Sequence, residues 1–141
     1  MSILGDALSM GGGNPHVVGY AWHTAFGTSY ARVGNFDRLK SLWADSNFFT
    51  QSTGLFTCQR AGTYQIVYFG RGGYNSNGTS ISLYFQVVAN GSVVASSYSV
   101  DNAGVNSSVT VTLSVGQTLY AETRNSSGNN THDFGFIIIA T

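Results

Sequence analysis

The side chains best suited to chemistry in this 141-residue chain are its three histidines, its single cysteine and one arginine-bearing glycine turn. His132 and Asp133 are adjacent in a region rich in serine, which supplies the residue types of a hydrolytic relay. Such a relay requires a nucleophile, a base and an orienting acid that converge in space. Neighbours along a strand point to opposite faces, so His132 and Asp133 are not expected to relay directly. His16 and His23 flank a strand, and no carboxylate or cysteine at ligand spacing accompanies them; they read as surface histidines. With one cysteine, Cys58, neither an intrachain disulfide nor a cysteine-based zinc site can be completed within one chain. Cys58 reads as a small buried apolar residue. Gly70-Arg71-Gly72-Gly73-Tyr74 lacks the lysine and following helix of a phosphate cradle, and reads as a flexible turn. The expectation is a protein that is not an enzyme, with no catalytic residue, no cofactor and no metal.

Composition narrows the partners. Charged residues make up 9% of the chain and formal net charge is zero; Lys40 is the only lysine and the five arginines are scattered. Nucleic-acid binding needs a basic footprint that displaces counterions from phosphates, so it is excluded. No apolar run reaches the length that spans a membrane. The first ten residues lack a basic region and Asp6 interrupts their short apolar run, so no signal peptide is expected and the chain reads as made in the cytoplasm. Solubility must come from Ser, Thr, Asn and Gly. A surface of that kind suits close packing beside identical neighbours, because no large like-charge field opposes it.

Two segments follow from the pattern. In residues 1–15, Ile3, Leu4, Ala7 and Leu8 fall at helical spacing, and Gly11-Gly12-Gly13-Asn14-Pro15 then forms a joint. Residues 16–141 are short strands divided by Gly, Asn and Ser turns. Strands are expected at 17–22, 30–35, 48–50, 55–58, 63–70, 80–89, 93–99, 107–115, 118–124 and 134–140. Asn90-Gly91 is the strongest hairpin signal. The stretch 37–45 also fits a helical turn through Leu39, Leu42 and Trp43. About ten short strands at this spacing indicate an all-β sandwich or jelly roll.

Alternation says more than the strand count. In 107–115, Val109, Val111, Leu113 and Val115 share one face, whereas Ser108, Thr110, Thr112 and Ser114 share the other. That is a strand with a dry side and a wet side. Strand 134–140 differs, because Phe134, Phe136 and Ile138 oppose Ile137 and Ile139; in 63–70, Tyr64, Ile66 and Tyr68 oppose Val67 and Phe69. A two-layer sandwich buries one face of each strand, so the second apolar face needs another cover. Burying one large apolar side chain stabilises by roughly 1.5–3 kcal/mol, so several left in water would be a large loss. The expectation is an obligate oligomer that covers strands 63–70 and 133–140.

Those strands also carry a likeness. Ser52-Thr53-Gly54-Leu55-Phe56-Thr57-Cys58, then Ala61-Gly62-Thr63-Tyr64, and a closing Asp133-Phe134-Gly135-Phe136-Ile137 occur in order. Between them lie Val88-Ala89-Asn90-Gly91-Ser92-Val93-Val94 and the 107–115 strand with its Gly116-Gln117 turn. In these motifs residues 16–140 resemble the trimeric jelly-roll superfamily of the complement q globular head and the tumour necrosis factor ligands. The closing Phe-Gly-Phe lacks one residue of the family's Phe-x-Gly-Phe pattern. The resemblance implies a ten-stranded TNF-like jelly roll and a homotrimer with aromatic residues near the threefold axis, for which Tyr64, Tyr68, Tyr120 and Phe136 are the candidates. It implies no catalytic activity.

The functional expectation is a trimeric virion surface protein of a bacterial virus: a capsid decoration, head fibre or tail-tip module. Residues 1–15, through Ile3, Leu4 and Leu8, would dock to a capsid or tail protein. The alternatives are a receptor- or carbohydrate-binding adhesin, or a secreted complement- or cytokine-like ligand. For a cell-surface protein or glycan, the candidate contacts are Tyr74, Asn75 and Asn77 in one polar loop and Asn129 and His132 in another.

Overall fold

The computed structural model describes residues 16–26, 28–34, 39–71, 82–99, 104–126 and 131–141. They form eleven strands and no helix: β1 (His16–Phe26), β2 (Ala31–Arg32), β3 (Leu39–Ala44), β4 (Phe49–Ser52), β5 (Leu55–Cys58), β6 (Gly62–Arg71), β7 (Leu83–Ala89), β8 (Ser92–Ser99), β9 (Gly104–Leu113), β10 (Thr118–Asn125) and β11 (Thr131–Ala140). One sheet has the order β3-β1-β11-β6-β9, the other β4-β5-β10-β7-β8, with β2 also on β10. All pairings are antiparallel. The all-β jelly-roll expectation therefore holds. The ambiguous 37–45 stretch contains a strand rather than a helical turn: β3 pairs with β1, setting Leu42 and Ala44 against the core and Trp43 outward.

The core lies between the sheets, and aromatic side chains span it. Phe49, Phe56 and Phe85 come from one sheet and Tyr64, Tyr68, Phe134 and Phe136 from the other. Their rings meet mostly edge to face, with centroids 4.9 Å apart for Phe49–Tyr64, 5.6 Å for Phe56–Phe136 and 4.8 Å for Tyr68–Phe85. That geometry places the positive ring edge on the negative face and adds to the area buried. Cys58 is buried here, as its residue type predicts.

Two turns set the register. Asn90 and Gly91 have φ of +48° and +82°, the left-handed pair expected for the β7–β8 hairpin. Thr53 and Gly54, at +48° and +85°, turn β4 into β5. A Cβ at Gly54 would stand 1.9 Å from the carbonyl oxygen of Val33, so no side chain fits there. A β-branched threonine at positive φ costs on the order of 1–3 kcal/mol. Arg32 offsets part of that by donating to the Thr53 carbonyl (2.9 Å) and hydroxyl (2.8 Å).

Candidate functional site

The outer face of the five-stranded sheet is apolar across four of its strands. Strand register lines up Trp43, Tyr20, Ile137 and Val67 in one row from β3 through β1 and β11 to β6. The next row holds Trp22, Gly135 and Phe69, a third holds Val17, Ile139 and Gln65, and beyond Phe69 the exposed pair Asp133 and Arg71 ends the apolar area. Gly135 has a specific role. A Cβ there would lie 2.6 Å from the Phe69 ring, so its absence lets that ring cross β11 and meet Trp22 edge-on at 5.5 Å. Tyr20 and Trp43 pair at 5.6 Å. Trp22 and Trp43 nevertheless remain 45% and 41% exposed. At the β9 edge the face turns polar, with Ser108, Thr110 and Thr112 exposed.

Three residues expected near a threefold axis lie elsewhere. Tyr64, Tyr68 and Phe136 are 2%, 3% and 1% exposed and point between the sheets. They have no surface left to lose to a second subunit, so their part in an interface is corrected. The physical reason is the alternation itself: in each strand the larger rings fill the core, and Val67, Phe69, Ile137 and Ile139 face out. Tyr120 is half-buried on the other sheet, outward of buried Leu119 and Ala121. Sequence reasoning passed over Tyr20, Trp22 and Trp43. The available signal was the run Tyr20-Ala21-Trp22-His23, in which two large rings point one way and Ala21 the other.

His23 is also corrected. It is fully buried rather than a surface residue, with Nε2 3.3 Å from the Thr123 hydroxyl, and buried Asn125 is on the same strand as Thr123. His16 is half-buried and meets Phe48 edge-on at 4.9 Å. It lines a pocket of about 420 Å³ at the end of the sandwich, with Phe48, Arg60, Thr63, Tyr64 and Thr141. The Arg60 guanidinium sits 5.0 Å above the Phe48 ring. Its carbonyl accepts from the Tyr64 hydroxyl and from the Cys58 thiol, the latter at 3.1 Å. Burial first, and the neighbouring Cys58 second, push the Tyr64 phenol up to about 12, against the opposing pull of Arg60.

The outer face of the six-stranded sheet is different in kind. Arg124 lies 4.0 Å from the Tyr84 ring and 5.4 Å from the Tyr30 ring. Tyr84 stacks on Tyr98 at 5.8 Å. In the adjacent row Gln86 donates to the Glu122 carboxylate, and Arg32 is opposite Glu122 in register. Among the described residues no three His, Cys, Asp or Glu side chains converge as a metal site. Tyr74, Asn75, Asn77, Asn129, Ile3, Leu4 and Leu8 lie outside the described residues, as does the side chain of His132.

No protein-family model matches the sequence, and no curated protein matches it. Among solved structures the chain is similar to the globular domain of the zebrafish complement 1qA protein, with a TM-score of 0.55 at 16% identity. The match covers 87% of this chain and 95% of that one. Together with the strand order, that likeness shows that the chain has the jelly-roll fold of the complement q and tumour necrosis factor superfamily.

Proposed function

We propose that the protein is a non-enzymatic homotrimer displayed on the surface of a virion. The observation that carries the trimer is the outer face of the five-stranded sheet. Trp43, Tyr20, Ile137 and Val67 form an unbroken apolar row there, beside Trp22 and Phe69. Such a face loses free energy in water in proportion to its area and regains it against a like face. The low charge of the chain removes electrostatic opposition to that contact. Three copies is the number the superfamily resemblance implies.

The virion is the finer part of the reading. Its support is the short apolar stripe Ile3, Leu4 and Leu8 joined to the jelly roll by a glycine-rich stretch, a design suited to tethering a rigid head to a larger body. Deleting residues 1–13 tests it. The shortened protein is expected to stay a folded trimer and to lose co-sedimentation with particles. Retained attachment would contradict the docking role, and loss of the trimer would move the assembly determinant into the leader.

A further inference from the structure

We propose that the outer face of the six-stranded sheet binds a glycan, with Tyr98 as the stacking ring and the Gln86–Glu122 pair as the group that reads sugar hydroxyls. This goes beyond the trimer and stands whether or not the opposite face is covered. Tyr98 is the most exposed large ring described, at 64%, and it projects from the edge strand β8. One side of it stacks on Tyr84, at 5.8 Å and an interplanar angle of 26°. Tyr84 is held in turn by Arg124, which also lies over Tyr30. The tyrosine is thus buttressed into one orientation although most of its area is in water.

That combination is unusual for a ring that serves only stability. A cross-strand pair on a sheet contributes through contact area, and an edge tyrosine two-thirds exposed gains little of it. A fixed ring with open area is what a pyranose needs. The C–H bonds on one face of a sugar are polarised by the neighbouring hydroxyls and settle against the negative face of an aromatic ring. The fixed orientation also reduces the ordering cost of binding.

The second row supplies the polar half. The hydrogen bond from Gln86 to Glu122 locks two planar groups side by side one row along from Tyr84 and Arg124. The amide's other N–H, its carbonyl and the second carboxylate oxygen then present a fixed set of donor and acceptors to hydroxyls. From β2 to β8 the face crosses three strand spacings, about 14 Å, which accommodates a short oligosaccharide. The core of a protein–protein contact is depleted of charged residues, glutamate among them. Here the centre is Tyr84, Gln86, Glu122 and Arg124, with Arg32 opposite Glu122, so the face carries two guanidiniums against one carboxylate.

The test is a glycan array of neutral and acidic animal and bacterial surface oligosaccharides, probed with the full chain. The best-bound free oligosaccharide is then titrated by calorimetry. A monovalent sugar reports intrinsic affinity, so the result does not depend on the oligomeric state. Expected outcomes are binding of at least one glycan of the array and weakening of about tenfold or more by Tyr98→Ala. Tyr98→Phe, which keeps the ring, should stay within about threefold, and Gln86→Ala should weaken binding with the melting temperature unchanged. Arg60→Ala, at the terminal pocket, should leave affinity as it was. Absence of any bound glycan, binding unchanged in Tyr98→Ala, or loss in Arg60→Ala alone would overturn the proposal.

Discussion

On the outer face of the five-stranded sheet the register rows hold Trp43, Tyr20, Ile137 and Val67, then Trp22, Gly135 and Phe69. On the outer face of the six-stranded sheet, rows of the same geometry hold Arg124, Tyr84 and Tyr98, then Arg32, Glu122, Gln86 and Ser96. Both are rich in rings, yet on the first the facing pair Asp133 and Arg71 lies in a flanking row, whereas on the second Arg124 lies over the rings themselves and Glu122 and Gln86 are one row along. A tyrosine–arginine row stays hydrated at its polar tips, so it is stable in water as it stands. The tryptophan–isoleucine row has few such tips, and its remedy is another apolar surface. On the reading proposed above, one sandwich turns one face to its own kind and the other to solvent and its solutes.

The largest expected effect separates both outer faces from the core. Phe136→Ala removes an inward ring and should destabilise the fold by about 3–5 kcal/mol, out of a total of about 5–15 kcal/mol. Urea denaturation measures it, and a variant as stable as the parent would contradict the inward placement of Phe136. Next is Ile137→Arg, one residue along and facing out. It should dissociate the assembly to single chains while the β circular dichroism persists; an assembly of unchanged mass would break the comparison by leaving the apolar face without its role.

A smaller effect distinguishes the buried tyrosine from the exposed ones. Folded Tyr64 holds its proton up to about 12, whereas the unfolded chain loses it near 10. Its contribution is therefore complete below pH 10 and is lost as pH rises from 10 to 12, because the unfolded state releases the proton first. Stability measured across that window should fall, and Tyr64→Phe should flatten the fall; an unchanged slope in that variant would assign the effect to another group. The smallest change is Tyr98→Ala, expected to alter stability by no more than about 0.5 kcal/mol because little of the ring is buried. A larger loss by thermal melting would make Tyr98 a structural residue and weaken its role as a ligand contact.

Much of this was legible in the sequence. Period-two alternation in 107–115 assigned dry and wet faces correctly as far as Leu113, but Val115 lies past the end of β9 and is exposed, because the strand gives way to the Gly116 turn. Asn90-Gly91 marked its hairpin because few residue pairs tolerate two positive φ angles. The excess of apolar side chains in 63–70 and 134–140 also revealed that a face would be left over. What alternation cannot say is which of two apolar sets faces inward. In β6 and β11 that was decided by partners distant in sequence, Phe49, Phe56 and Phe85, whose rings fit between Tyr64, Tyr68 and Phe136. His23 was misread for the same reason, since its burial depends on Thr123, one hundred residues away. The tyrosine–arginine row was not legible at all, because it joins residues 30, 84, 98 and 124 through strand order alone.

The central claim is that the apolar outer face is a contact between copies of this chain. Light scattering on the eluting intact protein tests it most directly. A chain of 15.0 kDa should elute as a species of about 45 kDa that persists on dilution. A stable, soluble species of 15.0 kDa, with Trp22 and Trp43 in water, would contradict it.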